Sequence, residues 1–172
     1  MKDFRTIPQV LADIRRILAM LLDEAPGFVR AGNQTGAPPP PNGEPFATLL
    51  CTSATHSQTF ATRTDTSETT VATCATSLAT LHCDVQIFRR DAFAKADFLS
   101  RVLREDYGAQ ALRSIAVSFV DAQSVDLTSA VATTLWEERS LMRAVFTAFL
   151  TVEHATIGLD PAKAAITFTR DF

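Results

Sequence analysis

The chain has 172 residues, 47% of them hydrophobic and 20% charged, with a net charge of -3. That length and apolar content suffice for one domain with a real core, and the charge balance excludes a disordered tail or a basic nucleic-acid coat. The adjacent basic pairs Arg15-Arg16 and Arg89-Arg90 read as a solvated helix face and a turn, not as phosphate clamps.

From Ile7 onward, Val10, Leu11, Ile14, Ile17, Leu18, Leu21 and Leu22 recur at spacings of three and four, so one stripe of a first helix faces a core. Thr6 is its expected N-cap, Pro8 sits in the first turn where a missing N–H costs nothing, and Pro26-Gly27 is the expected stop. Residues 30–45, with Gly32, Gly36, Pro38 to Pro41 and Gly43, exclude helix and central strand and predict a Pro-rich loop. The tetraproline is either a polyproline II connector or a stiff segment laid across a neighbouring subunit.

Phe46 to Thr52 reads as a strand. Residues 53–80 are crowded with threonine, whose branched Cβ favours the extended chain and whose hydroxyl tolerates water, so a long, two-sided polar β-hairpin arm is expected, turning near Arg63 to Ser67. An isolated hairpin is not stable; this one either lies on the body of the domain or pairs with the next subunit. Its second arm runs into a core strand, with Leu81, Cys83, Val85 and Ile87 on one face and His82, Asp84, Gln86 and Phe88 on the other.

After Arg89-Arg90, Asp91 caps a second helix carrying Phe93, Ala96, Leu99, Val102 and Leu103, with Asp106, Tyr107 and Gly108 as its end. A short strand at Ile115, Val117 and Phe119 leads into a loop over residues 121–134, read as a second arm. Then comes the clearest strand, with Met142, Ala144, Phe146, Ala148, Leu150 and Val152 on one face and Arg143, Val145, Thr147, Phe149 and Thr151 on the other. Ile157 to Pro161 turns the chain, and residues 160–172, with Ile166, Phe168 and Phe172, form a C-terminal strand or arm. The expected fold is α/β of the α+β kind: a mixed, mainly antiparallel sheet flanked by two main helices, in a single domain spanning residues 1–172.

Little in the chain suggests chemistry. The longest apolar run, Ile17 to Leu22, is far short of the ~20 residues that span a bilayer, so neither a membrane span nor a secretory signal is expected. Cys51, Cys74 and Cys83 make an odd count without Cys-x-x-Cys spacing, against a disulfide framework or zinc knuckle and for a reducing, cytoplasmic birthplace. No P-loop, G-x-G-x-x-G, G-x-S-x-G or H-E-x-x-H motif occurs. His82 and Cys83 are tempting neighbours, but adjacent strand residues face opposite ways, and a thiol on the apolar side is inert. Glu137 and Glu138 diverge for the same reason and read as ion-pair or interface residues beside Arg139, with Trp136 as a packing anchor or subunit contact. No catalytic residue, cofactor or metal is expected.

The order of these pieces resembles the neck or tail terminator proteins of tailed bacteriophages. The matching elements are the amphipathic opening helix, the Pro/Gly loop leading into Pro45-Phe46-Ala47-Thr48, the strand Asp84-Val85-Gln86-Ile87-Phe88 feeding a helix from Asp91-Ala92, and Trp136-Glu137-Glu138-Arg139 opening a long strand, over roughly residues 5–157. The chain departs from that pattern at Arg89-Arg90, where a small residue is expected, and in its threonine-rich hairpin. The resemblance implies a virion protein that assembles in the host cytoplasm as a homo-oligomeric ring of six copies at the head–tail junction. There it caps the tail tube and meets the head–tail connector, with no membrane and no cofactor, and DNA passes through an acidic lumen without specific binding. The subunit-interface candidates are Arg89, Arg90, Trp136, Glu137, Glu138 and Arg139, and Glu138→Lys is expected to impair assembly while leaving the monomer folded. The competing readings are another neck component, such as a head completion or tail tube subunit, a small ligand-binding domain or enzyme, and an adaptor displaying its polyproline loop.

Overall fold

The computed structural model describes residues 5–32, 43–66, 71–132 and 135–156. The tetraproline and the C-terminal strand or arm lie outside the described residues. In chain order the elements are α1 (Ile7–Leu21), β1 (Val29–Ala31), β2 (Phe46–Thr66), β3 (Val71–Phe88), α2 (Ala92–Val102), α3 (Asp106–Arg113), β4 (Val117–Ala132) and β5 (Leu135–Thr156). The strands form one sheet in the order β1-β2-β3-β5-β4, parallel only between β1 and β2. This is the expected α+β class, a mixed and mostly antiparallel sheet.

Helix α1 begins as its sequence dictates. The Gln9 side-chain oxygen accepts the Thr6 backbone N–H at 2.8 Å and its hydroxyl at 3.0 Å, tying down the helix start. It ends at Leu21, a turn before Pro26-Gly27, because Asp23 adopts the left-handed conformation at φ 55 and breaks the ladder first. The expected loop over residues 30–45 starts late: Arg30 and Ala31 belong to β1, which pairs with Thr48 and Leu49.

One face of the sheet carries the buried positions Ala47, Leu49, Leu81, Cys83, Val85, Ile87, Met142, Ala144, Phe146 and Val117, and these join Val10, Ile14 and Leu18 of α1 and Ala96 and Leu99 of α2 in a single core. The alternation read in β3 and β5 therefore decides which face is covered. The opposite face, with Thr48, His82, Asp84, Gln86, Phe88, Arg143 and Phe149, is half-buried or exposed.

Three expectations need correction. Residues 121–132 are strand, not loop: β4 runs for 16 residues and pairs with β5 as far as Ala132↔Leu135. Val125, Leu127 and Val131 alternate there among small polar residues that read as loop, and backbone pairing to β5 holds the segment extended. Asp106, Tyr107 and Gly108 do not end a helix but open a third, α3, a short helix of eight residues beside the two main ones. The threonine-rich hairpin is also more than a hairpin. β3 pairs with β5 from Phe88↔Arg139 to Val71↔Thr156, so the arm has three strands, the smallest number that holds a free-standing sheet together. The turn expected near Arg63 to Ser67 falls later, since β2 stays paired through Thr66↔Val71 and the connection lies outside the described residues.

Candidate assembly surface

The sheet outruns its helical layer at both ends. At one end β4 and β5 continue as a two-stranded ribbon, Ser129 to Ala132 against Glu138 to Leu135, past the last β3–β5 pair at Phe88↔Arg139. At the other the three-stranded arm of β2, β3 and β5 continues past the last β4–β5 pair at Val117↔Ala148. All the register shifts lie in β2 and β4, the sheet's outer long strands, while the β3–β5 ladder is regular throughout. Bulges on edge strands twist exposed backbone away from indiscriminate pairing.

The candidate residues gather near the ribbon end. Trp136 and Glu137 stand on the ribbon, opposite Val131 and Ala130. Arg139 lies at its root, with its guanidinium 4.9 Å from the Phe88 ring centre and hydrogen-bonded to the Gln86 side chain. Arg89 donates its backbone N–H to the Glu138 carbonyl and a guanidinium N–H to the Glu44 carbonyl at 2.8 Å, and it sits 5.5 Å from the Phe46 ring centre. Arg89 at φ 72 and Asp91 at φ 61 are both left-handed, a conformation costing roughly 1–2 kcal/mol per non-glycine residue. That explains why a small residue was expected in this turn. Arg90 stands apart, its guanidinium exposed and paired only with exposed Asp91 at 3.4 Å, a contact of little energetic weight.

Glu138 has a task inside the chain. Asp91 occupies the N-cap of α2 without a side-chain cap bond, and the Glu138 carboxylate from β5 accepts the Phe93 N–H at 3.0 Å. A negative charge there also meets the positive end of the helix dipole. Glu138→Lys is therefore expected to lower stability by about 1–2 kcal/mol, and Glu138→Gln, which keeps an acceptor, by less than half as much. Guanidinium unfolding of the two variants checks this, and only Glu138→Gln can then separate an assembly role from the structural one.

Sequence reading missed the residues between these. Phe46 and Phe88, paired across β2 and β3, stack with ring centres 4.6 Å apart and planes 6° from parallel, and Arg30 adds a third guanidinium 5.9 Å from Phe46. The available signal was Phe88 on the otherwise polar face of β3. The result is a rim where arginine planes lie over aromatic rings on the uncovered sheet face, a surface suited to protein contact.

Elsewhere on that face, a cleft of about 290 Å³ is lined by His82, Asp84, Gln123 and Arg143 among others, with Arg143 3.9 Å from Asp84. Cys83 is 2% exposed on the covered side while His82 faces out. Among the described residues no group of three His, Cys, Asp or Glu could hold a metal ion, and no helix is long and apolar enough to cross a membrane.

Residues 9–170, nearly the whole chain, match the family model described as phage neck terminator protein. A search of curated proteins gives no match.

Proposed function

The chain belongs to the phage neck terminator protein family, and from that premise we propose that it forms a ring, of six copies, that caps the tail tube and joins it to the neck connector. Membership already makes it a structural component of the virion neck that meets other neck and tail proteins. The ring and its exact place at the junction are the further step.

The observation that carries this reading is the length of the sheet relative to its helices. Strands of 21, 18, 16 and 22 residues exceed the typical ~5 to 6 several-fold, while the helices have 15, 11 and 8 residues and cover only the middle. A ribbon and an arm projecting from opposite ends suit a head-to-tail interface, in which one copy's arm meets a different surface of the next and the rotation closes a ring. The stacked rim of Phe46, Phe88, Arg89 and Arg139 supplies one such surface. The net charge of -3 suits a lumen through which DNA slides without being held. The protein works by shape and contact and carries no catalytic step of its own.

The purified chain should sediment as a discrete species near six copies and should place a single ring on one end of purified tail tubes in electron micrographs. Tube ends that stay bare, with the chain monomeric at every concentration, would remove the reading.

A further inference from the structure

We propose that Cys51 and Cys83 form a thiol pair that closes to a cross-strand disulfide between β2 and β3. The two residues are direct partners in the antiparallel β2–β3 ladder. Direct partners hold their Cα atoms about 4.5 or 5.5 Å apart and point their side chains to the same face, inside the roughly 4.4–6.8 Å window that a disulfide spans. Both thiols are free, and the Cys51 thiol donates to the Ser53 carbonyl at 3.3 Å. A bulge between Cys51 and Ser53 follows immediately in β2, and its irregular backbone supplies the small adjustment that brings the sulfurs to bonding distance.

The pair's position gives the bond a consequence. Ala47 and Leu49 are buried under the helices, Cys51 is half-buried, and Leu81 and Ala79 beyond Cys83 stay buried, so the pair stands on the covered face of the sheet body, four β3 residues short of the arm's start at Ala79↔Ala148. Closing it adds a covalent lock to the β2–β3 register that leads into the arm, beyond the ladder hydrogen bonds and the Thr52 hydroxyl donated to the His82 carbonyl.

The chemistry needs an oxidant, and a small-molecule disulfide such as oxidised glutathione suffices. Half-buried Cys51 loses its proton to solvent, and its thiolate attacks the oxidant, forming a mixed disulfide and releasing one thiol. Cys83 then gives up its proton and attacks the Cys51 sulfur, expelling the second thiol. Two protons and two electrons leave the protein, and one oxidant disulfide becomes two thiols. Burial pushes both thiols up from their usual range, so closure is slow at neutral pH and speeds up as pH rises. The pair therefore stays reduced in a reducing cell and closes only on lasting exposure outside it.

The full chain is incubated with oxidised glutathione at mildly alkaline pH, alkylated and analysed by mass spectrometry. The expected product has lost two hydrogen atoms, links Cys51 to Cys83, leaves Cys74 alkylated, and unfolds at a higher denaturant concentration than the reduced chain. Cys83→Ala should halt at a stable glutathione adduct on Cys51, and Cys51→Ser, at the more tolerant position, should leave Cys83 unmodified. An adduct persisting on Cys51 in the unsubstituted chain, a link through Cys74, or no reaction while the denatured chain reacts would each overturn the proposal.

Discussion

Gly108→Ala is expected to lower the stability of the chain by about 3 kcal/mol, the upper range for an overpacked site, although alanine is intrinsically the better helix former. Gly108 lies in the first turn of α3 and is buried against the end of α2. A Cβ built there would stand 2.1 Å from the Val102 carbonyl oxygen, 2.9 Å from its carbonyl carbon and 3.0 Å from Leu103 Cα. All three contacts are backbone, so no rotamer change relieves them. α3 would have to move by about 1 Å to restore ordinary contact, and Leu112, fully buried on the same helix, would move with it. For a chain of this size that loss is a fall of about 6–12 °C in Tm. Gly108→Val should be worse. Calorimetry on both checks the prediction, and an unchanged Tm for Gly108→Ala would mean that α2 and α3 do not pack backbone to backbone.

Phe146→Ala is expected to cost about 3–5 kcal/mol, a large part of the roughly 5–15 kcal/mol that holds a domain together. Phe146 is 0% exposed and, among the described residues, the largest of the fully buried side chains. It faces Leu81 of β3 on one side and Phe119 of β4 on the other, with the two rings edge to face at 5.9 Å and 62°. Truncation removes the ring that ties the central strand pair to the outer strand, and both the rigid β3–β5 ladder and the covering helices resist collapse into the space. Phe146→Leu, which refills most of the volume, should cost less than about 1.5 kcal/mol. Denaturant titration of the two variants reads the difference; equal losses would show that the site relaxes freely. Because β4 and β5 build the ribbon that carries Trp136 and Glu137, Phe146→Ala should also reduce formation of the proposed ring, and Phe146→Leu should restore it.

The candidate surface was legible in part. The alternation of β3 places Phe88, Gln86 and Asp84 on the uncovered face, and the order Trp136-Glu137-Glu138-Arg139 before a long strand marks the ribbon end. Nothing local, however, tells that Glu138 caps a helix by accepting the N–H of Phe93, 45 residues earlier in the chain, or that Phe46 stacks on Phe88. Both contacts are set by strand pairing, which brings together residues whose own neighbours carry no trace of it.

The sequence by itself determined the period of each element and therefore its buried side: the three-and-four spacing of α1 and the strict alternation of β3 and β5 survive unchanged in the fold. It determined the class too, because such stripes can be hidden only by laying helices on one face of a sheet. Tertiary structure alone decided how far each strand runs and what it runs beside. Residues 121–132, whose alternating Val125, Leu127 and Val131 are diluted by small polar residues, become strand because β5 offers them a ladder. The threonine-rich arm stands because β5 adds its third strand, and Gly108 opens a helix because α2 leaves its backbone no room for a side chain. Periodicity depends on residues three or four apart and is written in the chain; hydrogen-bond partners and close approaches depend on residues far apart, and exist only once the sheet has closed.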